Sequence, residues 1–339
     1  MIAGPEWGAD LSVAMATFNG EAYLRAQLDS IAAQTVLPGE IVICDDRSAD
    51  RTAQVVADFA RTAPFAVRFD VNEERIGYRR NFIQAATRCS GGLISFCDQD
   101  DIWMPTKVAD TLDHLARHGD LLVAHDFSVF FDGADRPEIP SYFAYLAESG
   151  LSRAVSIKGC AFTIRRALIE RAGWPPRAFQ DRWGHDNWVC VAAHLLDGAG
   201  FLDKPLIRHR IHGANTSGGL WGGRDRLRRM LRGLHCPPLT SRRPLDAFLS
   251  YYFHDDGRDV YLAAIGQCAP AMSEQQRRRA LRAYDNRIAY LDFPASPAYR
   301  TVGRRAARAL GLFLRGVYRD GDGLLGLLQD LDGDRSGRI

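Results

Sequence analysis

The amino-acid sequence predicts an α/β fold, with a mainly parallel mixed sheet flanked by helices. From Leu11 onwards, short apolar or β-branched runs alternate with longer amphipathic stretches, which is the pattern of successive βαβ units. The 339 residues are 46% hydrophobic and 25% charged, as in ordinary globular proteins. This composition excludes disordered, collagen-like and disulfide-scaffold classes.

The first hundred residues contain four predicted strands with helices between them. The strands are Leu11–Ala16, Glu40–Cys44, Val67–Val71 and Leu93–Cys97. The helices are Glu21–Ala33, Asp50–Arg61 and Arg79–Arg88. The order of these elements predicts a Rossmann-like half.

The middle of the chain continues the alternation less regularly. The predicted elements are a helix from Pro105 to His118, a strand over Leu121–Phe131, a loop over Asp132–Pro140, a strand over Ala154–Ile164, a helix over His185–Leu196 and a basic strand over Leu206–His212. A Gly/Ser-rich stretch over residues 213–223 follows and predicts a boundary.

The charge of the chain changes at the same stretch. Residues 1–223 carry 22 basic and 28 acidic side chains, a net charge of −6, whereas residues 224–339 carry 21 and 13, a net charge of +8. We therefore predict an α/β domain over residues 1–223 and a basic, mostly helical appendage over residues 224–339. The helices predicted in the appendage are Arg224–Leu234, Leu245–Ile265, Ser273–Leu291 and Arg304–Leu328.

The overall composition also limits partners and location. A net charge of only +2 argues against a general nucleic-acid binder. The sequence shows no N-terminal apolar run and no uncharged apolar run of about 18 residues, so we expect no signal peptide, no membrane-spanning helix and a cytoplasmic location. The seven cysteines form no CxxC pair, and reduced thiols are expected.

Pairs of aspartates follow two of the predicted strands, where open α/β sheets bind their ligands. Asp45 and Asp46 end the second strand; they either accept hydrogen bonds from a nucleobase and a ribose or cap the next helix. Asp98 and Asp100 follow the fourth strand. Their oxygens suit Mg²⁺ or Mn²⁺ and, through the ion, a diphosphate; a solvated acidic loop is the alternative.

Two further motifs lie in the second half of the domain. Asp186 begins a predicted helix, where it acts either as a cap or as a general base for a substrate hydroxyl. Arg210 and His212 share one face of the last strand and can neutralise a diphosphate leaving group. An exposed basic edge strand is the alternative for this pair.

Six segments carry a resemblance to a known family. In chain order they are LSVAMATFNGEAYL, EIVICDDRSADRT, NEERIGYRRNF, FCDQDDIW, GHDNW and HRIHGANTSG. Together they resemble family 2 glycosyltransferases, which have the GT-A fold, and most closely the bacterial rhamnosyltransferase-like branch. The resemblance covers about residues 10–220.

The resemblance implies which side chains bind the donor. Those that contact or approach the nucleotide are Thr17, Asn19, Glu21, Asp45, Asp46, Arg75 and Asn81. Asp98, Asp100 and His212 would hold Mg²⁺ or Mn²⁺, and Asp98 thereby also the donor diphosphate. Asp186 would be the catalytic base, with Arg210 and His212 near the departing nucleotide.

The resemblance also implies the reaction, an inverting transfer by direct displacement. The donor would be dTDP-rhamnose, or another UDP- or GDP-sugar, and the acceptor a glycan or lipid-linked hydroxyl in cell-surface polysaccharide assembly. The chain departs from the family pattern at Arg47, where a small Gly is common, and at Ile211, where a polar residue is frequent. Arg47 either crowds the base pocket or supplies an extra donor.

Two other functions compete with this hypothesis. A sugar nucleotidyltransferase also uses aspartate-bound Mg²⁺, but the Gly-rich phosphate loop expected after its first strand is missing here. The sequence also has no GxxxxGK[ST] loop and no GxGxxG after the first strand, which weakens ATPase and dehydrogenase hypotheses. A degenerate nucleotide- or carbohydrate-binding module is the non-enzymatic alternative, and retention of Asp98, Asp100 and Asp186 argues against it.

The basic appendage suggests a membrane contact. Residues 304–317 place arginines and apolar residues at helical spacing, and basic amphipathic helices can lie on anionic membrane surfaces. Such a tail would dock the protein at the cytoplasmic face of the membrane, near lipid-linked acceptors. Packing against the protein core with a solvated arginine face is the alternative.

Overall fold

The fold is taken from a computed structural model that describes residues 8–133, 136–148, 153, 158–180, 184–213, 215 and 258–291. The chain divides into two compact units. The first consists of Met1–Phe143 and Ile157–Asn215, and the second of Ala144–Ser156 and Thr216–Ile339. The predicted domain boundary at residue 223 lies outside the described residues and stays a prediction.

In the first unit, the described residues form one mixed sheet of eight strands. In chain order these are β1 (Leu11–Thr17), β2 (Glu40–Asp45), β3 (Ala66–Val71), β4 (Leu93–Cys97), β5 (Ile102–Trp103), β6 (Leu122–Phe131), β7 (Phe162–Arg165) and β8 (Ala199–Ile211). Their order across the sheet is β3-β2-β1-β4-β7-β6-β8-β5. Strands β1 to β4 are parallel to their neighbours among themselves, and so are β6 and β8, whereas β7 and β5 pair antiparallel.

Helices connect these strands. Those described before residue 216 are α1 (Leu24–Ala32), α2 (Thr52–Ala60), α3 (Tyr78–Arg88), α4 (Lys107–His118), α5 (Tyr142–Glu148), α6 (Arg166–Ala172) and α7 (His185–Leu195). Every residue of β1, β2 and β4 is buried, as expected for parallel strands covered on both faces. The predicted α/β fold with a mixed sheet and flanking helices is confirmed.

The structure differs from the predicted elements mainly after residue 150. Within the described part of the strand predicted over residues 154–164, only β7 is a strand, because Gly159–Ala161 form a 3-10 turn. Gly159 lies so close to His185 that a Cβ there would be 2.3 Å from its Nε2. The last strand begins at Ala199 rather than Leu206. Strand β5 and helices α5 and α6 were not predicted.

Besides residues 144–148 of α5, the second unit contains the described helices α8 (Arg258–Cys268) and α9 (Glu274–Leu291), with a short 3-10 turn between them. The rings of Tyr261 and Tyr284 stack with centroids 6.0 Å apart. The helices predicted over Arg224–Leu234 and Arg304–Leu328 lie outside the described residues. In the part of the chain that the structure describes, no helix has the length and apolar character needed to cross a membrane.

Candidate active site at the strand ends

The predicted site residues gather at one edge of the sheet. Strands β1, β2 and β4 are parallel neighbours, so their carboxyl ends meet at the same edge. Thr17 and Asp45 are the last residues of β1 and β2 and pair in register, and Asp98 directly follows β4. Strand β8 is tied to this region because its Arg208 pairs with Ile102 of β5, just after the acidic residues.

Asp45 closes the end of β2 against the end of β1. Its side chain accepts hydrogen bonds from the Thr17 hydroxyl at 2.7 Å, the Ser48 hydroxyl at 2.6 Å and the Ser48 N–H at 2.8 Å. The residue is only 2% exposed. It does not cap α2, whose first residue is Thr52 and whose cap is Arg51. The carboxylate therefore joins the end of β1 to the turn after β2.

Asp46 organises the segment that precedes α3. Its Oδ1 accepts the Ile76 N–H at 2.7 Å and the Asn72 side-chain amide at 3.0 Å, and its Oδ2 accepts the Gly77 N–H at 2.8 Å. Asp46 is 2% exposed as well. A buried carboxylate without hydrogen bonds would be unfavourable. Here two backbone N–H groups and one side-chain amide supply these hydrogen bonds.

Arg75 and Asn81 have different positions around this carboxylate. The Arg75 side chain is 65% exposed, with its guanidinium 3.8 Å from the centroid of the Phe18 ring, so it can reach a ligand. Asn81 is 1% exposed; its amide donates to the Cys44 carbonyl at 2.7 Å and accepts from Asn72 at 3.0 Å. With both ends of its amide engaged, Asn81 supports the pocket wall, and a direct contact with the nucleotide stays a prediction.

Asn19 and Glu21 join the loop after β1 to the loop after β2. The Asn19 N–H donates to the Ser48 hydroxyl at 2.8 Å, and its Oδ1 accepts the Ala49 N–H at 2.9 Å. Glu21 Oε2 accepts the Arg51 N–H at 2.8 Å. These two predicted nucleotide-binding residues thus hold two pocket loops together.

Arg47 adopts a backbone conformation that favours glycine. Its φ of 64° costs a residue with a Cβ on the order of 1 kcal/mol, which explains why a Gly at this position is conformationally easier. Its guanidinium donates to the Glu73 carbonyl at 2.7 Å. Arg47 was expected either to crowd the base pocket or to supply an extra hydrogen-bond donor. In the structure its guanidinium is a donor that links the loop after β2 to the segment around Glu73.

Three carboxylates crowd the loop after β4. Burial raises the pKa of Asp98 to about 7, and the neighbouring Asp101 and Asp100 add to this effect. The pKa of Asp100 is raised by burial and then by Asp101, against hydrogen bonding from His212. Ionisation of all three carboxyl groups is therefore unfavourable without a further positive charge, and their oxygens are the donors that a divalent cation prefers.

Asp101 is bound from the opposite strand and was not predicted as a site residue. Its Oδ1 accepts hydrogen bonds from His209 Nδ1 at 2.7 Å and the Arg210 N–H at 3.0 Å. Burial alone would raise the pKa of Asp101, but His209 and these hydrogen bonds lower it overall. Burial would likewise lower the pKa of His209, yet Asp101 raises it. The two residues form a buried hydrogen-bonded pair that fixes the acidic loop to β8.

Arg210 is a second attachment of the loop. Its Nε donates to the Asp100 carbonyl at 2.9 Å, and its guanidinium lies 4.6 Å from the centroids of both the Tyr23 and Phe130 rings. The side chain is only 11% exposed. In this arrangement Arg210 positions the acidic loop beside the predicted diphosphate site.

His212 lies against Asp100, the residue with which it is predicted to share a metal ion. Its Nε2 lies 2.8 Å from Asp100 Oδ2, and the Asn215 amide donates to the same oxygen at 3.2 Å. The ring packs on Tyr23 at a centroid distance of 4.6 Å. Asp98 belongs to a different cluster of possible metal ligands. One of its oxygens lies within 4.8 Å of one oxygen, sulfur or nitrogen atom of each of Asp101, Cys160 and His209.

Asp186 lies in the first turn of α7, as predicted, but it is not the cap. Gly184 occupies the cap position, and Asp186 Oδ1 accepts the N–H of Asn187 at 2.8 Å. A carboxylate in a first helical turn is stabilised by the helix dipole. The capping alternative is therefore wrong, and the proposed role as a base stays open.

Residues 12–171 match the model of glycosyl transferase family 2. An uncharacterised protein of Mycobacterium tuberculosis is 33% identical over 134 residues, which cover 38% of this chain and 39% of that protein. The dTDP-rhamnosyl transferase RfbG of Shigella flexneri is 27% identical over 218 residues, 60% of this chain and 73% of RfbG. The chain thus spans about two fifths of the length of the mycobacterial relative.

Two solved structures resemble the whole chain. TarS 1–349 of S. aureus in complex with UDP-GlcNAc has a TM-score of 0.53 at 18% identity, covering 97% of this chain and 92% of that one. The mannosyltransferase PcManGT from Pyrobaculum calidifontis, in complex with GDP-Man and Mn²⁺, has a TM-score of 0.51 at 19% identity, covering 95% and 87%. These similarities confirm the predicted GT-A fold.

Proposed function

We propose that the chain is a metal-dependent, inverting glycosyltransferase that moves a sugar from a nucleotide donor to an acceptor hydroxyl. The observation that carries this proposal is the contact of Asp100 with His212. The two residues are 112 positions apart and meet at 2.8 Å, beside the strand ends where open α/β sheets bind ligands. A carboxylate next to an imidazole suits a cation such as Mn²⁺.

Asp98, Asp100 and His212 would hold the cation. The crowding of Asp98, Asp100 and Asp101 in an enclosed loop supports this assignment, since a divalent ion offsets their repulsion. Mg²⁺ or Mn²⁺ bound there would neutralise charge on the departing diphosphate. Arg210 and the Asp101–His209 pair keep the ligand loop in place.

Asp186 would take the proton of the acceptor. As the acceptor oxygen forms a bond to the anomeric carbon, its proton passes to Asp186 and the bond from that carbon to the diphosphate oxygen breaks. Displacement from the opposite side inverts the configuration. Its position in the first turn of α7 favours the charged carboxylate that this step needs.

The proposed donor is dTDP-rhamnose, and the proposed acceptor is a glycan or lipid-linked hydroxyl in cell-surface polysaccharide assembly. The similarity to RfbG supports the rhamnosyl donor. The structures with UDP-GlcNAc and GDP-Man show that the same fold accommodates other nucleotide sugars. UDP- and GDP-sugars are therefore the alternatives to test.

Turnover of the donor is the test of the reaction class. The purified protein is incubated with dTDP-rhamnose, UDP-sugars and GDP-sugars, with Mn²⁺ or Mg²⁺ and then with EDTA, and the released nucleotide is measured. We expect release from one donor that EDTA and Asp98→Ala both abolish. Asp29→Asn, an exposed carboxylate paired with Arg25 on α1, should behave as the wild type. Metal-bound nucleotide without turnover, even with acceptor glycans, would indicate a binding module.

Asp186→Asn separates chemistry from binding. We expect this variant to lose transfer while its affinity for the donor stays within about twofold of the wild type. Calorimetric donor binding and product formation are measured on the same sample. Loss of donor affinity as the main defect would make Asp186 a binding residue and would contradict its role as the base.

The membrane contact of the basic appendage is a separate proposal. Most of the appendage lies outside the described residues, so the support is its charge of +8 and the helical spacing of its arginines. Co-sedimentation with vesicles containing anionic lipid should decrease when residues 300–339 are deleted. Equal sedimentation of both proteins would contradict docking through this segment.

A further inference from the structure

Tyr78 is a large aromatic side chain left partly open at the start of α3. It is 40% exposed, and it follows Gly77, whose φ of 82° and N–H bond to Asp46 fix the backbone at this point. The side chain therefore projects from a rigid position next to the nucleotide pocket. None of the roles derived above uses Tyr78.

The neighbouring residue Arg79 connects Tyr78 to the proposed base. A Cβ built on Gly184 would lie 2.7 Å from Asp186 Oδ1 and 3.3 Å from Arg79 Cγ, so the Arg79 side chain passes beside the Asp186 carboxylate. The Arg79 guanidinium in turn lies 4.8 Å from the centroid of the Tyr78 ring. The start of α3 thus runs along the N-terminal turn of α7.

The hydroxyl of Tyr78 is also within electrostatic reach of the acidic loop. Burial raises the pKa of Tyr78, Arg79 lowers it, and the carboxylates of Asp186 and Asp98 both raise it. The charges of the proposed base and of a proposed metal ligand thus both act on this one side chain.

We propose that Tyr78 lines the pocket of the transferred sugar and contributes to the choice of donor sugar. The inference rests on the proposed function: in a direct displacement the anomeric carbon lies between the leaving diphosphate and the acceptor hydroxyl. A side chain close to both the proposed base and the acidic loop is therefore expected beside the sugar rather than beside the nucleotide. The ring offers an apolar surface to the C–H groups of a pyranose, and the hydroxyl can hydrogen-bond to a sugar hydroxyl.

The test compares the sugar with the nucleotide that carries it. For the donor that the wild type uses, binding of its nucleoside diphosphate with Mn²⁺ and steady-state transfer are measured for Tyr78→Ala and Tyr78→Phe. We expect Tyr78→Ala to lower kcat/KM roughly 10- to 100-fold while nucleoside diphosphate affinity stays within about twofold. Tyr78→Phe should retain most activity on that donor but change the ranking of donors that differ in sugar hydroxyls.

Leu37→Ala is the control, since Leu37 is also partly exposed and precedes the amino end of β2, the opposite end of that strand from the site. Thermal melting of each variant shows that it is folded. Unchanged kcat/KM in Tyr78→Ala, or an equal loss of nucleoside diphosphate affinity, overturns the inference and leaves the proposed function intact. A wild type that transfers no sugar from any donor overturns both.

Discussion

The carboxylates at the end of β2 and those after β4 differ in what their oxygens contact. Asp45 and Asp46 each accept three hydrogen bonds from neighbouring backbone or side-chain donors. Asp98 and Asp100 lie in a group of three carboxylates, and although His212 and Asn215 contact Asp100, burial together with the neighbouring acids raises the pKa values of both. The first pair holds neighbouring strand ends and loops together, whereas ionisation of the second pair is unfavourable and is what the proposed cation would offset.

The largest expected effect is on activity, from Asp100→Asn. Loss of this charge next to His212 should lower metal-dependent turnover by at least about 10³-fold, or about 4 kcal/mol of transition-state stabilisation. Stability in EDTA should be equal or higher, because the variant relieves repulsion with Asp98 and Asp101. Turnover and urea unfolding are measured in parallel. An inactive variant that is also strongly destabilised would make Asp100 structural, like Asp46.

Asp46→Ala tests the other side of the comparison. The substitution leaves the Ile76 and Gly77 N–H groups and the Asn72 amide without their acceptor, and we expect a loss of about 3 kcal/mol in the free energy of unfolding. Urea unfolding measures it. Asp29→Ala, at an exposed helix position, should change stability by about 0.5 kcal/mol or less. Equal effects of the two variants would show that the buried hydrogen bonds of Asp46 contribute little.

The strand-end carboxylates were predictable because they depend on local sequence. Continuous apolar runs such as Ile41–Cys44 mark strands buried on both faces, and their ends agree with the structure within one residue for β1 to β4. A polar residue after such a run must lie at the carboxyl edge of the sheet. This rule placed Asp45 and Asp98 without any knowledge of their contacts.

The attachments between distant segments were not predictable in this way. Asp101 and His209 are 108 positions apart, and their contact depends on the pairing of β8 with β5, a strand of two residues too short to show a period. Strand alternation assigned His209 to the face opposite Arg210 and His212. The buried Asp101 is the partner of His209 on that face. No local sequence pattern reveals this contact.

Adding Mn²⁺ in the absence of a sugar donor tests which of the two aspartate pairs binds a metal ion. A cation that binds only the folded protein stabilises it by RT ln(1 + [L]/Kd), about 2.7 kcal/mol at 100 times Kd. We expect Mn²⁺ to raise the melting temperature of the wild type and of Thr17→Val, which alters only the β2 pair, but not of Asp100→Asn. A shift of the same size in Asp100→Asn would place the ion elsewhere.

His185 probes the packing behind the acidic loop. It is 3% exposed, its ring centroid lies 4.2 Å from that of Phe82 and 4.6 Å from that of Phe96 on β4, and neither ring nitrogen has a hydrogen-bond partner among the described residues. Burial lowers the pKa of His185 to about 4, against the opposing charge of Asp186. The neutral imidazole thus acts as an aromatic spacer between β4 and the helix that carries Asp186.

This packing makes stability depend on pH in a direction that His185→Phe can test. Because the folded pKa lies below the unfolded value of 6.5, the unfolded chain takes up the proton first as pH falls. Stability from this group is complete above pH 6.5 and decreases toward about pH 4, with a loss of about 2 kcal/mol at pH 5.

His185→Phe should lose less stability than the wild type between pH 7.5 and 5, whereas His118→Gln, at an exposed histidine, should follow the wild type. The buried His125 is present in all three proteins, so the difference between them reports His185 alone. If the free energy of unfolding of His185→Phe and of the wild type changed equally with pH, water or a hydrogen-bond partner would have to reach this imidazole. The packing between His185, Phe82 and Phe96 would then not be an apolar environment.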